Sequence, residues 1–219
     1  IKAGFPNIVI HEIKENLGYA KGYNYAFDIL KNEEFIYYLI LNNDVIVNKY
    51  FLSKLIYNLD KYGKQNIYGS KIYYLNSKKI WYAGGYYNTF LGFARHRGIN
   101  KYESNYSYKT HKTGYVSGCC MLISKNLIEE LNGFDERYVM YYEDVDLCYR
   151  ASKLSYDIYV INNCYINHEV SYSLGNYSLN KLYKKICSQI KFIYKINNIF
   201  LFILSLTINI FCIPIYLIS

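Results

Sequence analysis

The run Phe35-Ile36-Tyr37-Tyr38-Leu39-Ile40-Leu41 is apolar at every position and stops at once in Asn42-Asn43-Asp44. A strand with one face in water alternates apolar and polar side chains. A run without alternation must have both faces covered, as in a sheet with helices packed on its two sides. The neighbouring segments supply those helices. Upstream, Tyr23, Ala26, Phe27 and Leu30 fall at helical spacing within residues 22–32. Downstream, Phe51, Leu52, Leu55, Ile56 and Leu59 mark one side of an amphipathic helix over 48–63, with Gly63 as its stop. Short strands are expected at 7–13 and 66–76. Strand, helix and strand in alternation predict an α/β domain with a mostly parallel central sheet.

The pattern resumes after an irregular stretch. Residues 77–112 are rich in glycine, aromatics and charge, with a turn expected at Gly84-Gly85, and long irregular stretches of this kind tend to be binding loops. A strand is then expected over 115–123 and a short helix capped by Ser124, with Leu127, Ile128 and Leu131 inward and an Asn132-Gly133 stop. A second helix runs from about Glu143 to Leu154, and a strand over 156–168 ends at His168.

Length and composition suit this reading. The chain has 219 residues, 52% of them hydrophobic, and 2 prolines, enough for one domain with a substantial core. It opens on Ile1 with no charged-then-apolar leader, which reads as an internal piece of a longer protein. Six cysteines, at 119, 120, 148, 164, 187 and 212, show no zinc spacing and are expected as reduced, partly buried thiols. The net charge of +8 and the 30 tyrosines raise nucleic acid as a partner. The lysines are scattered, however, and a weak basic field equally suits phosphorylated small molecules or an anionic membrane surface, so no nucleic-acid partner is expected. Residues 199–219 carry no charge and follow Lys181, Lys184, Lys185, Lys191 and Lys195. That length can cross a bilayer with the lysines on the cytoplasmic side, which makes 196–219 a hydrophobic, membrane-associated segment after a domain at 1–195. Asn209 and Pro214 leave a buried C-terminal helix as the alternative.

The polar residues that close the expected strands are the candidates for chemistry. In an open α/β sheet ligands bind outside the carboxyl ends of the strands, which places Asp44 at the site. Asn42 and Asn43 add uncharged donors and acceptors, and one carboxylate with phosphate oxygens and water is a usual way of holding Mg²⁺ or Mn²⁺. Gly18 and Gly22 stand between strand and helix, where backbone N–H groups can approach an anion. Glu143, Asp144 and Asp146 crowd the start of a helix whose dipole favours them. Asp146 and Arg150 fall at i, i+4 and can pair, whereas Asp144 lies about 100° round the helix and can turn toward a cleft as a general base. His168 closes a strand as Asp44 does, and a neutral imidazole suits the same cation.

The segments "ENLGYAKGYNYAF", "YLILNNDVIV", "GYVSGCCMLISKNLIEELNGFDERYVMYYEDVDLCYRA" and "INH" resemble, in order and approximate spacing, glycosyltransferase family 2, and look most like its rhamnosyltransferase-type bacterial members. The match runs from about Asn16 to His168. The resemblance implies a GT-A fold, a nucleotide-sugar donor, a divalent metal and transfer with inversion. It implies that Asp44 binds metal and donor diphosphate, that Asp144 is the catalytic base, and that His168 completes the metal site. Asn16 and Gly18 match the donor-pocket segment, which Asn42 and Asn43 adjoin. Gly118 matches the acceptor loop, beside which Trp81 offers a stacking face and Glu143 a polar contact. The implied acceptor is a glycan or lipid-linked hydroxyl in cell-surface polysaccharide synthesis, at the cytoplasmic face of a bacterial membrane. Three features depart from the family: Asn42 stands where many relatives have Asp, the usual first strand is absent, and no Tyr-x-x-Arg-Asn segment follows near Tyr183. Rival readings are a glycoside hydrolase, which needs no metal, and a nucleotide or nucleic-acid binding module without transferase activity.

Overall fold

A computed structural model of the chain describes residues 4–103, 109–169 and 179–218, with side chains up to residue 210. The elements in order are α1(Gly18–Ile29), β1(Tyr37–Leu41), β2(Val45–Val47), α2(Phe51–Tyr62), β3(Ile67–Tyr74), β4(Ile80–Tyr82), β5(Gly85–Tyr87), β6(Ala94–His96), β7(His111–Lys112), β8(Cys120–Ser124), α3(Lys125–Glu130), α4(Glu143–Lys153), β9(Ile158–His168), α5(Leu179–Ile196) and α6(Ile199–Ile218). The central sheet has the order β1-β8-β3-β9-β2, with β4 on β3 and β7 on β9, and β5 and β6 form a separate hairpin.

The α/β class holds, but the sheet is mixed rather than mostly parallel. β1, β3 and β9 run in one direction, yet β8 lies antiparallel between β1 and β3. Among the described pairs only β3/β9 is parallel. The reversal has a local cause. The chain enters β8 from the end where β1 stops, with Cys120 facing Leu41, and the Asn42 N–H donates to Cys119 O at 3.1 Å. The segment before β8 is thereby delivered to the carboxyl edge of β1.

The other elements follow the sequence pattern with shifted ends. Helix α1 begins at Gly18, earlier than its apolar spacing indicates, because the Asn16 side chain accepts the Gly18 N–H at 3.0 Å. Helix α2 buries Phe51, Leu55 and Leu59 and ends at Gly63, whose φ of 104° only glycine adopts readily. The Ser124 hydroxyl caps α3 through the Leu127 N–H, and Asn132 and Gly133, both at positive φ, stop it. Residues 7–13, expected as a strand, form none. They lie exposed, Val9 by 76%, and β1 has no described strand on its outer edge. The expected strand at 115–123 is cut to β8, and residues 115–119 become the loop before it. The stretch 77–112 is more regular than its composition indicates, since β4, β5, β6 and β7 lie within it.

Aromatic packing fills the space between sheet and helices. Phe27 of α1, Tyr38 of β1 and Phe134 sit with ring centroids 4.6 and 6.0 Å from Phe27, and Tyr142 and Tyr149 pack on Phe192 of α5. Cys119, Cys120, Cys148 and Cys164 are buried free thiols and Cys187 is half-buried, as expected of reduced cysteines; the side chain of Cys212 lies outside the described residues. Residues 199–218 of the hydrophobic run are helical as α6, but no helix among the described residues is long and apolar enough to cross a membrane. Two of its polar positions face protein: Asn209 donates to Leu91 O and accepts from Gln189, and Ser205 is fully buried. Pro214 lies where side chains are not described.

Candidate active site

Three chain ends meet at the carboxyl edge of β1. The turn after β1 carries Asn42, Asn43 and Asp44; the loop before β8 carries Ser117, Gly118 and Cys119; and β9 ends at His168. Antiparallel pairing of β2 with β9 sets Val45 opposite His168, and the Glu169 N–H donates to Asp44 O at 2.9 Å. This register brings the side chains of Asp44 and His168 together, Oδ1 to Nε2 at 3.1 Å. Asp44 is 27% exposed and His168 8%, so the pair opens outward on the carboxylate side. The His168 ring is held by the edge of Trp81, with centroids 4.8 Å apart, and its Nδ1 has no hydrogen-bond partner among the described residues.

Trp81 joins this pair to a cleft of about 670 Å³. Asn42, Trp81, Gly118, Glu143 and Asp144 line it, as do Tyr19, Arg95, His96 and Lys185. Asn16, Gly18 and Asn43 do not: the Asn16 side chain turns back on the Gly18 N–H at the start of α1, and Asn43 is exposed in the turn. Asp44 and His168 lie beyond Trp81 rather than in the cleft wall. A larger cleft of about 730 Å³, bounded by Asn24, Asp28, Lys31, Asp135, Arg150 and Lys195, contains none of the expected site residues.

The start of α4 is built under strain. Tyr141 and Tyr142 both have positive φ, 68° and 71°, a conformation that costs bulky residues of order 1–3 kcal/mol each and persists only where packing fixes it. Tyr142 is fixed: it is 4% exposed, its ring meets Phe192, and its hydroxyl accepts the Ala94 N–H at 3.3 Å. The sharp approach turns the first residues of α4 toward the 117–119 loop. Asp144 Oδ2 accepts the Gly118 N–H at 3.0 Å and Oδ1 accepts the Val145 N–H at 2.8 Å. Gly118 is held from its other end, since the Tyr19 hydroxyl donates to Gly118 O at 2.6 Å, and a side chain at 118 would run into that hydroxyl.

Electrostatics divide the two neighbouring acids. Burial pushes the Asp144 carboxyl above the ordinary aspartate value, opposed by the N–H groups of Gly118 and Val145. Burial, then the charge of Asp144, pushes Glu143 up to about 8, and its Oε2 is buried with no hydrogen-bond partner among the described residues. Of the two acids, Asp144 is the one whose charged form accepts N–H groups from Gly118 and Val145, and Glu143 is the one left without such help from another residue. The helix N-terminus alone, expected to keep these acids ionised, does not outweigh their burial. His96 is driven down to about 4, chiefly by burial, and stays a neutral ring on Trp81 O. Sequence reasoning did not single out Tyr19, Arg95 or His96; Lys185 appeared only as a flanking charge. The i, i+4 pairing expected of Asp146 and Arg150 is present at 2.8 Å.

A divalent cation would find two donors here. Asp44 and His168 converge on one point, and no cluster of three or more His, Cys, Asp or Glu side chains occurs among the described residues. One carboxylate and one imidazole suit an ion whose remaining positions are filled by diphosphate oxygens and water.

A mixed sheet with helices on it, a carboxylate and histidine at its carboxyl edge and a buried carboxylate beside a cleft describe a GT-A type fold. Comparison with known proteins gives the same result: residues 1–131 match the glycosyl transferase family 2 model, and the chain belongs to that family. Residues 95–172 also match a model described as the N-terminal domain of galactosyltransferase. The chain is similar to an N-acetylglucosaminyl-diphospho-decaprenol L-rhamnosyltransferase of Mycobacterium tuberculosis, 37% identical over 62 residues that cover 28% of this chain and 20% of that protein. It is also similar to the low-salt glycan biosynthesis hexosyltransferase Agl10 of Haloferax volcanii, 26% identical over 147 residues, covering 65% of this chain and 46% of that protein. The chain thus matches less than half the length of either relative. Among solved structures, GalNAc-T7 with UDP, GalNAc and Mn²⁺ shares the fold, with a TM-score of 0.57 and 13% identity over 72% of this chain and 31% of that one.

Proposed function

We propose that this chain forms the catalytic part of an inverting, metal-dependent hexosyltransferase, moving a sugar of rhamnose type or another hexose from a nucleoside diphosphate to a hydroxyl of a glycan or lipid-linked acceptor. The observation that carries the reading is Asp144: a carboxylate with no cation partner among the described residues, aimed by two backbone N–H groups, in a cleft whose Trp81 wall touches the Asp44/His168 pair. Such a group is a base with a defined direction.

In the proposed reaction the acceptor O–H gives its proton to Asp144 as its oxygen bonds to the anomeric carbon. The bond from that carbon to the diphosphate breaks on the opposite face, which inverts the centre. Asp44 and His168 are the residues that would hold Mg²⁺ or Mn²⁺. The chemistry such an ion supplies when bound is neutralisation of the charge gathering on the departing diphosphate. Asn42, tied to the Cys119 carbonyl, and Trp81 border the space between these ends, where a sugar ring can stack on the indole.

The same reading places the protein at the cytoplasmic face of a membrane, lying on it rather than crossing it. Ile199, Phe200 and Ile203 of α6 are 65, 72 and 57% exposed, and the lysines of α5 precede them. Co-sedimentation with anionic vesicles that disappears when these three residues are replaced by serine is the expected outcome.

The deciding experiment for the transferase reading is titration of Mn²⁺ with UDP, dTDP and GDP into the protein and into Asp44→Ala. Binding that needs the metal and vanishes in the variant supports the donor site. Binding indifferent to both overturns the reading.

A further inference from the structure

Helix α5 holds both of the segments that line the cleft near Asp144, the β5/β6 hairpin and the start of α4. On the hairpin side Gln189 Nε2 donates to Leu91 O at 2.9 Å and Asn197 Nδ2 to Thr89 O at 2.9 Å. Gly92 lies so close to Ile193 that a side chain at 92 would run into it. On the α4 side, Ser188, Lys191, Phe192 and Lys195 share one helix face by their spacing and meet the chain on both flanks of the strained Tyr141–Tyr142 corner. The Lys191 ammonium donates to Arg137 O at 2.7 Å and the Ser188 hydroxyl to Met140 O at 2.9 Å. Phe192 packs on the Tyr142 ring with centroids 5.6 Å apart, and Lys195 Nζ reaches Asp146 Oδ1 at 2.5 Å.

Ser188 makes the contact nearest the start of the corner. A serine inside a helix can satisfy its hydroxyl on the carbonyl one turn back. Ser188, 3% exposed, donates across to another segment instead, to the carbonyl just before Tyr141. That carbonyl and the Tyr141 N–H belong to one rigid peptide plane, so holding the oxygen restrains the φ of Tyr141. Tyr141 is the first of two residues at positive φ, and the chain leaves them directly into Glu143 and Asp144. Were the plane to rotate and relieve the strain, the first turn of α4 would swing, and Asp144 Oδ2 would leave the Gly118 N–H that it now accepts at 3.0 Å.

We propose that Ser188 is a positioning residue for Asp144: by holding the Met140 carbonyl it keeps the Tyr141–Tyr142 corner at positive φ and the carboxylate on the Gly118 N–H. The role of Asp144 as a base rests on the transferase reading, whereas the mechanical link from α5 does not.

Hydrogen exchange and amide NMR of the full chain test this, with the Gly118 N–H as reporter. Alanine is at home in a helix interior, so Ser188→Ala is expected to fold. In that variant the Gly118 N–H should exchange on the order of ten-fold faster than in wild type and change its chemical shift, while the amides of β3 and β9 keep their protection. Ser188→Thr, which keeps the hydroxyl, should restore the wild-type values. A Gly118 amide unchanged in Ser188→Ala overturns the positioning role. So does an acceleration shared equally by β3 and β9, which marks plain loss of stability. Exchange as fast in Ser188→Thr as in Ser188→Ala overturns the part given to the hydroxyl. Failure of the transferase reading shows separately, as nucleotide binding indifferent to Mn²⁺ and to Asp44→Ala.

Discussion

Helix α4 carries two aspartates two residues apart that the fold treats in opposite ways. Asp146 is fully buried between cations: Arg150 Nε reaches its Oδ2 at 2.8 Å and Lys195 Nζ its Oδ1 at 2.5 Å. Arg150 continues to Leu131 O and Gly133 O, and Lys195 to Asp135, so this carboxylate ties α4 to the preceding loop and to α5. Among the described residues Asp144 receives two backbone N–H groups and no cation, and its neighbour Glu143 has an oxygen without a hydrogen-bond partner. A carboxylate matched by cations is committed to structure. One held by neutral donors beside an unsatisfied acid keeps its capacity to take a proton.

That contrast can be broken by mutation. Asp144→Asn is expected to lower turnover by about 10²–10⁴-fold while leaving the thermal midpoint near wild type, as steady-state kinetics beside calorimetry will show. On the proposed role of Asp144, kcat/KM is expected to fall on the acid side at a higher pH than an ordinary aspartate imposes, because burial raises its carboxyl and a base must be ionised. Asp146→Ala has the reverse signature. It strands Arg150 and Lys195 and costs about 3–5 kcal/mol in urea unfolding.

Glu143 sharpens the comparison through pH. Its folded value, about 8, lies above the ordinary one, so between those two values the native state holds a proton that the unfolded chain releases. Stability from this group therefore declines as pH rises toward 8. Glu143→Gln should remove that decline and gain on the order of 2 kcal/mol over wild type at pH 8 relative to pH 5. Asp135 changes in the other direction. Arg137, with Lys195, holds it well below the usual carboxylate range, and its contribution is present at neutral pH and lost on acidification. The smallest effect belongs to Tyr19→Phe, which deletes one hydrogen bond to Gly118 O and is expected to cost about 0.5–1.5 kcal/mol.

Much of this was legible in the sequence. The run 35–41 announced β1, although its two faces are covered unequally, with Tyr38 and Ile40 buried, Tyr37, Leu39 and Leu41 half-buried and Ile36 71% exposed; Ser124 and Asn132-Gly133 bounded α3, and the i, i+4 spacing gave the Asp146–Arg150 pair. Strand direction was not legible: residues 120–124 look the same whichever way they pair, and only the loop that delivers them decides. Residues 7–13 show the complementary limit, since an apolar run becomes a strand only where an edge receives it. In the site, Asp44 and His168 could be found because strand ends are marked by abrupt polarity. Lys185 could not be placed in the cleft, since its neighbours in sequence are also lysine and tyrosine and the docking of α5 is a tertiary event. The signal for Tyr19 is conformational: its hydroxyl fills the space a side chain at 118 would need.

The Gly118 peptide, gripped at its carbonyl by Tyr19 and at its N–H by Asp144, also acts as a relay. Bonds at the two ends of one amide polarise each other, so the grip on one side depends on the charge on the other. Protonation of Asp144, as the proposed reaction requires, would weaken its pull on the N–H, and the tyrosine at the head of α1 would feel the loss. The hydroxyl proton of Tyr19 should therefore report the ionisation of the base from outside the reacting atoms, as a chemical shift that titrates with Asp144 and stops titrating in Asp144→Asn.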